Sequence, residues 1–260
     1  MDLLSRILQK KRSDVQRAKA ATPLSEVKAA VADAAPVRNF RKAIDESPHP
    51  VALIAEVKKA SPVTGITRPD FDPAEIAAIY KDAGADCLSV LTDVEFFQGS
   101  PDYLALCRDV SGLPVLRKDF TVDEYNVWEA RAMGADAVLL IVAALSPPQL
   151  TELRELAESL GMDALVEAHS LEQAEAAIST GATLLGVNNR DLTTFESTIS
   201  ESIETIPKIA GRATVVSESA IATRQDVEAV ASAGARAVLV GTSFCSAPDV
   251  GARVREVMGW

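Results

Sequence analysis

Eight short apolar runs, separated by helix-like patterns, restrict this sequence to few folds. They lie near residues 51–57, 87–92, 114–118, 137–142, 164–167, 184–188, 213–217 and 237–241. Runs this short and this continuously apolar read as strands buried on both faces, the mark of parallel sheet. Helix starts fall between them. Asp72 precedes Pro73, Ser146 precedes Pro147, Ser170 and Thr223 stand at further openings, and a helical pattern covers 123–132. A phrase also recurs, as Ala83-Gly84-Ala85-Asp86, Met133-Gly134-Ala135-Asp136, Thr180-Gly181-Ala182-Thr183 and Ala233-Gly234-Ala235-Arg236. Each copy sets a glycine just past a helix, where a left-handed cap is needed, and then enters a strand. The copies are roughly 50 residues apart, about two βα units. Four such copies fit eightfold closure: an α/β fold, a (β/α)8 TIM barrel with an N-terminal helical extension. A long doubly wound sheet fits the same period less well.

The length of 260 residues suits one such barrel. No linker-like stretch or composition break divides it, so one domain is expected over 1–260. Residues 1–48 form a helical extension of two helices and 49–260 the barrel; the extension either covers the bottom or overhangs the mouth. The net charge of -11 argues against nucleic acid and anionic membranes as partners. It leaves room for a local cationic cluster around a small anion. Three cysteines, Cys87, Cys107 and Cys245, and two histidines give no disulfide framework and no expected metal site. The segment Met1–Ala20 is amphipathic, without the continuous apolar core of a signal peptide, and no stretch is long enough to span a membrane. A cytoplasmic location is expected.

The apolar runs end in ionisable or amide residues: Glu56-Val57-Lys58, Arg117-Lys118-Asp119, Glu167, Asn188-Asn189-Arg190 and Ser217-Glu218-Ser219. In a (β/α)8 barrel the C-terminal strand ends build the active site, so these endings converge on one pocket. Glu56 and Lys58, two apart on a strand, share the interior face; an internal ion pair that merely closes the barrel would look the same. Lys118 points inward if Arg117 and Asp119 take the exposed alternation. Desolvated near Lys58, its pKa would fall, which suits a proton donor or a Schiff-base nucleophile. Glu167 suits acid–base work, or an ion pair. Asn188 would orient a hydroxyl or carbonyl. Arg190 would fork onto phosphate, or pair with Asp191 at the surface. Ser219, Ala220, Gly241 and Thr242, after strands seven and eight, fall where this fold holds phosphate. Phe96 and Phe97 sit near the mouth, as rim packing or as a stacking surface for an aromatic substrate.

These strings resemble the indole-3-glycerol phosphate synthase family. The likeness rests on Ile54-Ala55-Glu56-Val57-Lys58-Lys59-Ala60-Ser61-Pro62, Phe96-Phe97-Gln98-Gly99-Ser100, Val115-Leu116-Arg117-Lys118-Asp119-Phe120, Gly186-Val187-Asn188-Asn189-Arg190-Asp191-Leu192 and Ser217-Glu218-Ser219, and it runs over nearly the whole chain. The resemblance implies a carboxy-lyase of tryptophan biosynthesis. It would close, decarboxylate and dehydrate an anthranilate-substituted deoxyribulose 5-phosphate, with no cofactor and no metal. It implies Lys118 as general acid on the ketone oxygen, Glu167 in dehydration, Lys58 facing the substrate's anionic groups, and Glu56 positioning Lys58. Asn188 and Glu218 complete a polar ring. Ser61, Phe97, Arg190, Ser219, Ala220, Gly241 and Thr242 would bind substrate or phosphate. Ala220 stands where the family usually carries Gly. A monomer is expected, with association with another pathway enzyme left open. A Schiff-base aldolase, a phosphoribosyl isomerase and a non-catalytic phosphate-binding barrel are the competing readings.

Overall fold

The structure, a computed structural model, describes residues 2–190 and 197–260. Among them, eight parallel strands close into a barrel: β1 (Ala52–Val57), β2 (Cys87–Leu91), β3 (Val115–Lys118), β4 (Ala137–Ile141), β5 (Asp163–Ala168), β6 (Leu184–Asn188), β7 (Thr214–Glu218) and β8 (Ala237–Val240). Each strand pairs with its chain neighbours, and β8 closes on β1 through Ala52↔Ala237 to Ala55↔Val240. The eight expected runs are these strands to within a residue or two. Asp72, Asp123, Ser170 and Thr223 accept backbone N–H groups at the helix starts that follow, and Ser146 forms a capping box with Gln149. Gly84, Gly134, Gly181 and Gly234, one in each copy of the repeated phrase, all take a positive φ.

The alternation of each strand divides its residues between two cores. Leu53, Ala55, Leu88, Val138, Leu140, Val166, Leu185, Val215 and Val238 face outward and pack beneath the helices. Ile54, Cys87, Leu116, Leu139, Leu165, Val216 and Leu239 face inward and fill the lower barrel. Continuing the inward parity toward the C-terminal ends gives Glu56 and Lys58, Lys118, Glu167, Gly186 and Asn188, Glu218, and Gly241. The barrel axis therefore runs from a dry bottom to an ionised top.

The extension holds more helix than the two expected: α1 (Leu3–Ala21), α2 (Leu24–Ala30), a 3-10 turn (Val31–Asp33) and α3 (Phe40–Asp45). It does both of the things the sequence left open. Phe40 and Ile44 of α3 are fully buried against the lower core and plug the bottom. Asp163 accepts from the Arg41 N–H at 2.9 Å, and Asp136 from the Arg38 N–H at 2.7 Å. At the other end α1 lies over the mouth. Its Lys11 ammonium is buried between Asp119 at 2.6 Å and Asp93 at 3.1 Å.

Candidate active site

Lys118 reaches into the top of the barrel from β3. Its Nζ lies 2.6 Å from Glu218 Oε2 on β7 and 3.5 Å from Glu167 Oε2 on β5. Burial opposes the charge on Lys118, but the carboxylates of Glu218, Glu167 and Glu56 outweigh it and hold its pKa above the ordinary lysine value. Glu218 is 1% exposed. Burial pushes its carboxyl up to about 7 against the pull of Lys118, and the neighbouring Glu167 pushes the same way. Glu167 Oε1 also meets His169 Nε2 at 3.5 Å. Glu218 finds room only because residue 186 is glycine: a Cβ there would overlap its Oε1. At 2.6 Å the Lys118–Glu218 contact is a short, charge-assisted hydrogen bond.

A second cation stands beside this group. Lys58 Nζ donates to Thr242 Oγ1 at 3.1 Å and lies 3.7 Å from Glu56 Oε1. Gly241 plays the part of Gly186 here, because a Cβ at 241 would overlap the Glu56 carboxylate. Strand β8 ends at Val240 and a short helix (Thr242–Cys245) opens at once. On the adjoining strand end, Ser219 and Ala220 have φ of 64° and 61°, two successive non-glycine residues in the left-handed region. Of the four residues expected to hold phosphate, Thr242 contacts Lys58 and Ser219 lines the same cavity as Lys58, while Ser219–Ala220 and Gly241–Thr242 follow the ends of the adjacent strands β7 and β8.

Glu56, Lys58, Lys118 and Glu167 line a cavity of about 160 Å³, whereas Glu218, Ala220, Gly241 and Thr242 lie outside its lining. Leu3, Leu4 and Ile7 of α1, Phe97 and Phe120 supply its apolar side. The rings of Phe97 and Phe120 pack with centroids 6.2 Å apart. Asn188, Arg190 and Ser219 line the same cavity. Asn188 Oδ1 accepts from the Arg190 N–H at 3.0 Å, fixing the turn at the end of β6. Ser61 also lines it, though its hydroxyl is engaged within its own loop, 2.8 Å from Thr64 Oγ1. Asp191, the alternative partner of Arg190, and Leu192 of the same motif lie outside the described residues. Among the described residues, no group of three His, Cys, Asp or Glu is placed to hold a metal ion.

The profile of the indole-3-glycerol phosphate synthase family matches residues 4–257. The chain belongs to that family. Proteins of that name from Neisseria gonorrhoeae and from Neisseria meningitidis serogroup B are each 48% identical to it over 259 residues, covering 98% of this chain and 99% of the relative. Among solved structures, 3-hexulose-6-phosphate synthase from Salmonella typhimurium aligns at TM-score 0.64 and 15% identity, over 80% of this chain and 97% of that one. Thiamine phosphate pyrophosphorylase from Pyrococcus furiosus aligns at 0.59 and 18%, over 81% and 95%. At such identities the likeness is one of fold.

For this synthase-family chain, two expectations are corrected. The pKa of Lys118 does not fall: Lys58 is not its dominant neighbour, because the barrel sets three glutamates around it. Arg117 and Asp119 do alternate with Lys118, but they are only 6% exposed each, and Asp119 lines the rim of the same cavity. Arg117 donates to the Asn126 carbonyl at 3.0 Å and to Glu129 at 2.6 Å; Asp119 accepts from Thr92 at 2.9 Å and pairs with Lys11. The charges flanking Lys118 are thus a buried network that fixes the end of β3. Lys11, His169, Asn189 and the apolar residues of α1 are site-forming residues that sequence reasoning missed. Asn189 was visible in the motif; Lys11 sat in an amphipathic pattern that gave no sign of which strand it would meet.

Proposed function

We infer that this chain converts 1-(2-carboxyphenylamino)-1-deoxyribulose 5-phosphate to indole-3-glycerol phosphate. The observation that carries the reading, beside family membership, is an ammonium held charged at the barrel mouth. Lys118 touches two carboxylates, one of them 1% exposed. In ring closure the carbon bearing the anthranilate carboxylate attacks the C2 ketone. Negative charge develops on the ketone oxygen, and Lys118 is the donor that stabilises and protonates it. Loss of carbon dioxide restores the aromatic ring. Protonation of the resulting hydroxyl then expels water, and loss of a proton completes the indole.

Glu167, within 3.5 Å of Lys118, is the acid–base partner in dehydration. Glu218, whose carboxyl burial raises to about 7, holds Lys118 in place. Lys58 faces the substrate's anions, with Glu56 holding it and Asn188 completing the ring. The phosphate enters the cup of Ser219, Ala220, Gly241 and Thr242, with Arg190 and Ser61 at its edge. The anthranilate ring lies on the apolar side at Phe97. A 160 Å³ cavity is smaller than the few hundred Å³ such a ligand occupies, so part of the substrate sits in the open mouth. A monomer acting in the cytoplasm without a cofactor completes the reading. A Schiff-base aldolase acting through Lys118 would require that lysine neutral, which three carboxylates oppose; one acting through Lys58 would be revealed by borohydride trapping with a carbonyl substrate.

The test is a time course of indole fluorescence with purified protein and the anthranilate-deoxyribulose phosphate, with Lys118→Ala in parallel. Turnover by the wild type, lost in the variant, supports the reading. Binding without turnover by the wild type overturns it.

A further inference from the structure

Asn189 has no role in the chemistry above, yet it is the most fully engaged amide at the mouth. It is 5% exposed. Its backbone N–H donates to the Glu218 carbonyl at 2.9 Å. Its side-chain Nδ2 donates to Ser217 Oγ at 3.0 Å, to the Glu218 carbonyl at 3.0 Å and to the Ser219 carbonyl at 3.3 Å. Its Oδ1 accepts from the Ser202 N–H at 2.9 Å, and the Ser202 and Ser217 hydroxyls close the loop at 2.7 Å. One side chain therefore ties the end of β7 to the helix that follows β6 (Ser200–Ile209).

The segment it grips is the strained one. Ser219 and Ala220 follow directly, with φ of 64° and 61°. Non-glycine residues persist in that region only where their surroundings hold them. The carbonyls of Glu218 and Ser219, both accepting from Asn189, are the peptide units leading into the turn. A chain with glycine at 220 would take this conformation with little help; a chain with alanine needs the clamp.

We propose that Asn189 is a positioning residue: its buried amide holds the left-handed Ser219–Ala220 turn in the shape that receives the substrate's phosphate. This rests on the phosphate-cup reading of the proposed function. Asn189 acts through the backbone and touches no reacting atom. Its loss should weaken phosphate binding more than the chemical step, and glycine at 220 should restore what its loss removes.

The experiment uses the full chain and inorganic phosphate as a competitive inhibitor, with four proteins: wild type, Asn189→Ala, Ala220→Gly and the double variant. Asn189→Ala is expected to raise both the phosphate inhibition constant and KM about tenfold or more, with a smaller change in kcat. Ala220→Gly on that background is expected to recover at least several-fold. Should Asn189→Ala fail to fold, Asn189→Ser, which keeps one donor, is expected to give a smaller shift in the same direction, again relieved by Ala220→Gly. An unchanged inhibition constant in the folded variant overturns the proposal, as does a loss that Ala220→Gly does not relieve. Ala220→Asp separates the two readings by setting a carboxylate on the cup. If it leaves phosphate inhibition intact, the cup is misplaced and the proposal falls with it. If it abolishes inhibition while Asn189→Ala does not alter it, the positioning role alone falls.

Discussion

Gly186→Ala should damage catalysis without unfolding the barrel. The added methyl would overlap Glu218 Oε1, and it would project from a buried strand with fixed neighbours on both sides. The carboxylate must then swing off its present position. Its other oxygen is the one bonded to Lys118 at 2.6 Å, so that bond lengthens or breaks. A hydrogen bond to a charged group contributes about 1.5–3 kcal/mol. At 1.36 kcal/mol per decade of rate, its loss corresponds to roughly a 10- to 150-fold fall in kcat/KM. Overpacking should lower stability by about 1–3 kcal/mol, within the reserve of an ordinary domain. The matched control is Gly112→Ala, where φ is +72° and nothing lies within 4 Å of the added Cβ. That change should cost about 1 kcal/mol through backbone strain and leave kcat/KM alone. The assay is indole fluorescence for activity and urea unfolding for stability. A Gly186→Ala protein with wild-type kcat/KM would refute the claim that Glu218 must sit against residue 186 to hold Lys118.

Three further outcomes are expected. Lys118→Met should lower kcat by about 10²–10⁴-fold, the usual worth of a positioned acid, while circular dichroism stays unchanged. Lys11→Met should cost about 3 kcal/mol in urea unfolding, the lower end for a broken buried pair, because Thr92 and Arg117 still hold Asp119; KM should rise as Leu3, Leu4 and Ile7 leave the cavity. Glu218→Gln should change the pH dependence of stability. With its carboxyl raised to about 7 from 4.5, the folded wild type holds more protons than the unfolded chain between those values. Its contribution is thus full below about 4.5 and lost as pH rises through about 7, a swing of about 3 kcal/mol. The variant's thermal midpoint should therefore fall less than the wild type's between pH 5 and pH 8, and a parallel pair of curves would refute the assignment.

Much of this was legible because a strand has a period of two. Once Ile54 is placed inside a barrel, Glu56 and Lys58 must follow it, and the same parity sends Lys118 inward between Arg117 and Asp119. Parity could not say what covers the flanking pair. That depends on Lys11, which arrives from α1 at the far end of the sequence. Nor could it give the sign of the Lys118 shift. Sequence order suggested Lys58 as the neighbour, whereas closure brings β5 and β7 across the interior and surrounds Lys118 with carboxylates. The repeated phrase was legible as a cap but not in its polar member. Asp86 and Asp136 accept the Leu53 and Val115 N–H groups, each at 2.8 Å, and so fasten the bottom of the barrel. They serve the fold at the end opposite the site.

The two glycines facing the site show why fold and chemistry cannot be separated here. Gly186 and Gly241 lie on the inward parity, in rows where lower positions carry leucine, and each gives its place to a glutamate from a neighbouring strand. A barrel of this size has no spare interior volume. Glu218 and Glu56 therefore each require the loss of a side chain beside them, while Glu167 faces the cavity. The carboxylates in turn require cations, since an unpaired buried charge is not tolerated. Lys118 answers Glu218 and Glu167, and Lys58 answers Glu56. Glycine, glutamate and lysine are thus one arrangement, in which changing any member leaves either a clash or an unbalanced charge. Sequence reasoning found the charged members because they interrupt apolar runs; the glycines, which interrupt nothing, acquire their meaning only when the strands stand side by side.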